Sequence, residues 1–258
     1  MFEKIKCFIL DMDGTIYLGN ELFSFTKEFL KKVGETGRKY YFFTNNSSKS
    51  QQDYIEKLEK FGIRIKSQQM MTSTHVISRY LKQHYEGKSV YVVGTPSLIQ
   101  EFQYFGVNVT EEDPDIVVLG FDTTLTYEKL SKACHYIRNG CIYFGINPDW
   151  NCPMEGGAFI PDCGSIAKLI EASTGRFPEF FGKPSKHTLE YIIQQTGYEP
   201  DEIAIVGDRL HTDIAVADQS DVTSILVLSG ENTREDVKTS DVKPNVILED
   251  LSEITKML

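Results

Sequence analysis

Short apolar runs alternate with longer amphipathic stretches along nearly the whole chain. Residues 5–10, 39–44, 89–93, 115–120, 141–145, 179–181, 203–206 and 223–228 carry the apolar or β-branched pattern of buried strands. Between them, residues 24–33, 50–61, 73–83, 96–104, 127–139, 164–174, 186–196 and 213–218 carry helical spacing. Ser24 is placed to cap the first helix, while Gly62 and Gly197 close two others. Residues 147–163 are looser, with Pro153, Pro161 and the pair Gly156-Gly157, which either brings backbone close to a cleft or makes a turn. The tail, 244–258, adds a short strand and a closing helix. Strand-helix alternation predicts parallel sheets with right-handed crossovers. At 258 residues, two α/β units fit domain-size expectations better than one large sheet.

Polar clusters stand where the apolar runs stop. Asp11-Met12-Asp13-Gly14-Thr15 ends the run Cys7–Leu10. The Gly14 turn can gather both carboxylates around one small site, where a divalent cation with a preference for oxygen would relieve their repulsion. A solvated Asp-Gly turn is the alternative. A calcium loop is excluded, because its fifth and twelfth positions hold Thr15 and Leu22. Thr44-Asn45-Asn46-Ser47-Ser48 offers hydroxyls, amides and loop N–H groups suited either to a phosphoryl group or to a plain helix cap. Gly182-Lys183-Pro184 supplies a cation, unless Lys183 is an ordinary surface lysine. Gly207-Asp208 with Asp213 adds two acids, of which a helix cap explains at most one. Each cluster follows a predicted strand, and a parallel sheet brings such ends to one edge, where open α/β sheets bind ligands.

Charge narrows the partners. With 37 acidic against 27 basic residues, net charge is -10 and no basic stripe stands out, which argues against nucleic acid or an anionic membrane surface. An anionic substrate in a locally positive pocket remains compatible. Residues 1–6 carry no long apolar stretch, and no segment approaches the roughly 20 apolar residues of a membrane span. A cytoplasmic location is expected. Cys7, Cys134, Cys141, Cys152 and Cys163 are odd in number and lack Cys-x-x-Cys spacing, so reduced thiols are expected, with a zinc site among the middle four as the alternative. Among the histidines only His211, beside Asp208, is expected near the site. Trp150 either lines an entrance or packs.

The motifs Asp11-Met-Asp-Gly-Thr-Ile-Tyr17, Thr44-Asn-Asn-Ser-Ser48, Gly182-Lys-Pro-Ser185 and Gly207-Asp208 with Asp213 occur in an order and spacing that resemble the haloacid dehalogenase-like superfamily. Tyr17, the Asn-Asn-Ser-Ser loop and the long insert resemble its NagD-like, p-nitrophenyl phosphatase-like subgroup. The resemblance implies a Rossmann-like parallel-sheet core with helices on both faces, residues 1–66 and 178–258, and an inserted α/β cap, residues 67–177. It implies a Mg²⁺-dependent phosphatase acting on a small phosphorylated metabolite. Asp11 would be the nucleophile, forming an aspartyl-phosphate, and Asp13 the general acid and base. Thr44, Asn45 and Lys183 would bind phosphate; Asp11, Asp208 and the Asp13 carbonyl would hold Mg²⁺. Asp213 would either ligate it or orient a bound water. Asn147-Pro148-Asp149 resembles a subgroup motif, so Asn147 or Asp149 either contacts the leaving group or makes a turn. A homodimer through the cap is a further implication. A phosphotransferase or phosphomutase with the same intermediate, and a non-catalytic sugar-phosphate-binding regulator, are the competing readings.

Overall fold

The computed structural model describes residues 2–154 and 157–258. Cys7–Leu10 is buried throughout and lies between two parallel neighbours, Ile203–Gly207 and Lys39–Thr44. Thr223–Val227 and Val246–Leu248 extend the sheet on the first side and Met70–Thr72 on the other, giving six strands. Numbered along the chain, the order across this sheet is 3-2-1-4-5-6. Winding therefore reverses between Cys7–Leu10 and Ile203–Gly207, and the crevice beyond their carboxyl ends is where this architecture places a ligand.

A second sheet is also parallel and runs Asn108–Val109, Ser89–Val93, Ile116–Leu119, Ile142–Gly145, Glu179–Phe180. Tyr91, Val93, Val117, Leu119 and Tyr143 build its core with Ala133 and Ile137 of helix Tyr127–Arg138 and Ile166 and Ile170 of helix Cys163–Thr174. The strands are near-continuous apolar runs because both faces are covered.

Contacts divide the chain into two units. One holds the chain up to Thr44, Ile55–Met71 and Lys183–Leu258; the other holds Asn45–Tyr54 and Thr72–Gly182. Residues 178–182, read from the sequence as the start of the second core segment, contain Glu179–Phe180, which pairs with Ile142–Gly145 in the second sheet.

Local structure departs from the sequence reading at several points. The first helix is Thr26–Glu35 and begins at Phe25 without a side-chain cap; Ser24 plays no such part, and the Thr26 hydroxyl donates to Ile16 O at 2.7 Å. Residues 213–218 are not an α-helix. A wide π-type turn, Leu210–Ile214, runs into a 3₁₀ turn, Ala215–Ala217. The looser stretch contains an antiparallel hairpin of Asn151–Pro153 with Phe159–Pro161; Gly156, in the Gly-Gly pair noted above, lies outside the described residues. The short helix Arg234–Thr239 and the hairpin of Tyr17–Leu18 with Glu21–Leu22 carry too few residues for periodicity to reveal. Among the described residues, no helix is long and apolar enough to cross a membrane.

Candidate active site

Asp11 is still tied to the sheet, its N–H donating to Val206 O at 2.9 Å. The chain then turns sharply: Ile16 N–H reaches back to Met12 O at 3.0 Å, and Gly14 N–H donates to Tyr17 O at 2.8 Å. Gly14 has φ +82°, and a Cβ there would lie 2.2 Å from Asp208 Oδ2. Glycine alone meets both demands. Gly230, just past strand Thr223–Val227, crowds the same oxygen, where its Cβ would lie at 2.0 Å. Asp208 is thus wedged between two glycine backbones and is 2% exposed. Its Oδ2 accepts from Glu231 N–H at 2.7 Å, whereas its Oδ1 is buried without a hydrogen-bond partner among the described residues.

Lys183 reaches this carboxylate cluster by an unexpected route. It follows a strand of the second sheet, not a core strand as the sequence suggested. Its Nζ lies 2.6 Å from Asp11 Oδ1, 2.5 Å from Asp213 Oδ1 and 3.4 Å from Phe43 O. The other Asp213 oxygen accepts from Arg209 N–H at 3.1 Å, within the wide turn Leu210–Ile214.

Oxygens of Asp11, Asp208 and Asp213 lie within 4.8 Å of one another. Three ionised carboxylates against the one Lys183 ammonium would leave two negative charges in a buried pocket. Burial, with repulsion from Asp213, pushes the Asp208 carboxyl up to about 7. Asp11 is raised by burial and by Asp213, with Lys183 opposing. Burial works against the Lys183 ammonium, but Asp11 and Asp213 outweigh it and hold it above the ordinary lysine range. A divalent cation that prefers oxygen fits this donor set: it would cancel the excess charge and use the partnerless Asp208 Oδ1. The Asp13 carboxyl is also raised, by burial, while Lys57 and Arg209 pull it back.

Thr44, buried, ends the core strand Lys39–Thr44, and Asn45 follows it as the first residue of the second unit. Asn45 Nδ2 donates to Asp149 Oδ2 at 2.9 Å. Asn147 is fully buried; its amide donates to Asp149 Oδ2 at 2.9 Å and Asp162 Oδ1 at 3.0 Å, and its oxygen accepts from Ser47 at 2.8 Å. Both Asn147 N–H groups and its oxygen are therefore engaged within the fold. Asp149 is half-buried. His211 is exposed although Asp213, two residues on, is buried. Trp150 is 51% exposed, so it is not a packing residue. The five cysteines are thiols, with no disulfide among the described residues. Sequence reasoning missed Gly230 and the Glu231 amide. Their signal was a Ser-Gly-Glu-Asn run at the end of a strand, the same signature that marked the other clusters.

Comparison with known proteins agrees with this geometry. Residues 8–108 match the haloacid dehalogenase-like hydrolase family model, and residues 180–254 match a second, HAD-hydrolase-like model. The chain is 33% identical over 252 residues to the acid sugar phosphatase of Staphylococcus aureus, covering 97% of each chain. Its fold superposes on 4-nitrophenylphosphatase from Thermotoga maritima with a TM-score of 0.95 at 42% identity, covering 99% of this chain and 98% of that one. NagD from E. coli K-12 gives a TM-score of 0.88 at 31% identity, covering 96% and 98%. The chain belongs to the haloacid dehalogenase-like hydrolases and, within them, to the NagD-like phosphatases, enzymes that hydrolyse phosphoric monoesters.

Proposed function

We propose that the chain is a Mg²⁺-dependent phosphatase that hydrolyses a small sugar phosphate or similar monoester through an aspartyl-phosphate on Asp11. The observation that carries this reading is the Lys183 ammonium 2.6 Å from Asp11 Oδ1, in a cluster whose Asp208 Oδ1 has no hydrogen-bond partner among the described residues. In the first step an Asp11 oxygen bonds to phosphorus as the ester P–O bond breaks, and Asp13 gives its proton to the leaving oxygen. Burial raises the Asp13 carboxyl and so favours the protonated form that this step needs. In the second step Asp13 takes a proton from water as that water attacks phosphorus, releasing phosphate and restoring Asp11. Lys183, the Thr44 hydroxyl and the Asn45 N–H would donate to the phosphoryl oxygens. Asp11, Asp208 and the Asp13 carbonyl would hold Mg²⁺, which neutralises charge between the carboxylate and a dianionic phosphate. Both Asp213 oxygens already accept hydrogen bonds, which favours a role in holding Lys183 over one as a metal ligand. The printed names of its relatives, acid sugar phosphatase and 4-nitrophenylphosphatase, support the substrate class.

The test is release of inorganic phosphate from p-nitrophenyl phosphate and from a panel of sugar phosphates, with Mg²⁺ and with chelator. Turnover that needs Mg²⁺ and vanishes in Asp11→Asn is expected. Undiminished hydrolysis by that variant would overturn the nucleophile assignment, and transfer of phosphate to an added alcohol in place of water would identify a phosphotransferase.

A further inference from the structure

The turn that carries Asp13 is closed on Tyr17. Gly14 N–H donates to Tyr17 O at 2.8 Å, Tyr17 N–H reaches back to Met12 O at 3.4 Å, and Asp13 and Tyr17 are bridged through the backbone. Whatever holds the Tyr17 ring therefore holds the short loop on which Asp13 stands. The ring is fully buried, although Leu18, the next residue, is 53% exposed. Its cover comes from the far end of helix Gln51–Lys60, where Lys57 Nζ lies 3.7 Å from the ring centroid and the Phe61 ring lies 5.5 Å away. Lys57 and Phe61 are four residues apart and share one face, and Phe61 N–H donates to Lys57 O at 3.3 Å. Asp13, Tyr17, Lys57 and Phe61 all belong to the first unit. An apolar side chain would cover the ring equally well, and ordering a half-buried lysine there costs rotamer freedom. The ammonium is attracted by the negative face of the ring. It is also the stronger of the two cations that pull the Asp13 carboxyl back from its raised value, ahead of Arg209. One cation thus acts on Asp13 by two routes, through the ring and through its own field.

We propose that Lys57, held over the Tyr17 ring, is a positioning residue that acts through Asp13 and favours substrates whose leaving oxygen must be protonated. This role rests on the assignment of Asp13 as general acid. As the ester P–O bond breaks, the proton passes from Asp13 to the leaving oxygen, and a negative charge appears on the Asp13 carboxylate. A fixed ammonium nearby is worth more to that developing charge than to the carboxyl before transfer, so it lowers the barrier. The gain grows with the need for the proton. A p-nitrophenolate departs well without one, whereas the alkoxide of a sugar phosphate does not.

The test compares kcat/KM for p-nitrophenyl, phenyl and benzyl phosphate, at saturating Mg²⁺ and at the pH optimum of each variant. That constant reports transfer to Asp11 and leaves out the later hydrolysis. Lys57→Met, which keeps the apolar stem, should lower it at least about tenfold for benzyl phosphate and less than about threefold for p-nitrophenyl phosphate, part of the roughly 100-fold or more that a general acid supplies. Asp13→Asn should show the same split at its full depth, about 100-fold or more. Lys57→Arg, which keeps a cation over the ring, should recover most of the loss. Equal losses on all three esters, or no loss on any, with Asp13→Asn still split, overturn the role of Lys57 and leave Asp13 as the acid. A split that Lys57→Arg does not reduce assigns the effect to packing and overturns it as well. No split in Asp13→Asn removes the general-acid reading, and the role of Lys57 falls with it.

Discussion

Lys183 Nζ lies 2.6 Å from Asp11 Oδ1 and 2.5 Å from Asp213 Oδ1, so one buried ammonium is shared by two carboxylates. It is 3% exposed, and nothing about a lysine before a proline announces such a place. The pair-sharing ties the proposed nucleophile to the turn that carries the third acid of the cluster.

Lys183→Met should therefore cost both activity and stability. Loss of the charge stabiliser is expected to lower kcat at least about 100-fold. The two carboxylates left buried without their cation should destabilise the fold by about 3–5 kcal/mol. Steady-state kinetics and urea unfolding measure the two separately; a change in kcat below about twofold would remove Lys183 from the site.

Removal of the cation makes a second case. Chelation should abolish turnover and Mg²⁺ should restore it. Because a bound cation would relieve the excess negative charge, Mg²⁺ at about 100 times its dissociation constant should also stabilise the fold by about 2.7 kcal/mol. Asp208→Asn should remove most of that stabilisation. A melting temperature indifferent to Mg²⁺ in the parent chain would contradict the assignment of Asp11 and Asp208 as metal ligands.

Gly230→Ala probes the close approach that sequence reasoning missed. Its new methyl would lie 2.0 Å from Asp208 Oδ2, so the carboxylate or the loop must move. The Mg²⁺ concentration for half-maximal activity should rise about 10- to 100-fold, the range for disturbed support of metal ligands. Gly34→Ala, where φ is likewise not positive and a Cβ meets nothing within 4 Å, is the control for the substitution itself.

Glu101 makes stability depend on pH away from the site. It is 5% exposed, one oxygen accepts from Gln51 N–H, and the other is buried without a hydrogen-bond partner among the described residues. Burial raises its carboxyl from 4.5 to about 7, so the folded chain holds a proton that the unfolded chain has released. Its contribution is full below the unfolded value and is lost as pH rises through the folded one. Relative to Glu101→Gln, the parent should lose on the order of 1–3 kcal/mol across that window, read by denaturant unfolding at several pH values. Parallel pH profiles for the two proteins would contradict this.

The sequence by itself determined a good deal. Apolar runs marked nearly every strand of both sheets, since a strand covered on both faces has to be apolar throughout. Acids, hydroxyls and glycines bunched where those runs stopped, so Asp11, Asp13, Thr44, Lys183, Asp208 and Asp213 were legible as candidates. Pairing was decided only by tertiary structure. An apolar run reveals that a segment is a strand, but its neighbours depend on long-range packing, which is why Lys183 could be expected on the core sheet when the preceding strand belongs to the other. The same holds for Asn147, whose amide is consumed by Ser47, Asp149 and Asp162, and for Gly230, whose lack of a side chain matters only because Asp208 comes to rest against it. Local pattern records what a residue is able to do, and the atoms that finally surround it select which of those things it does.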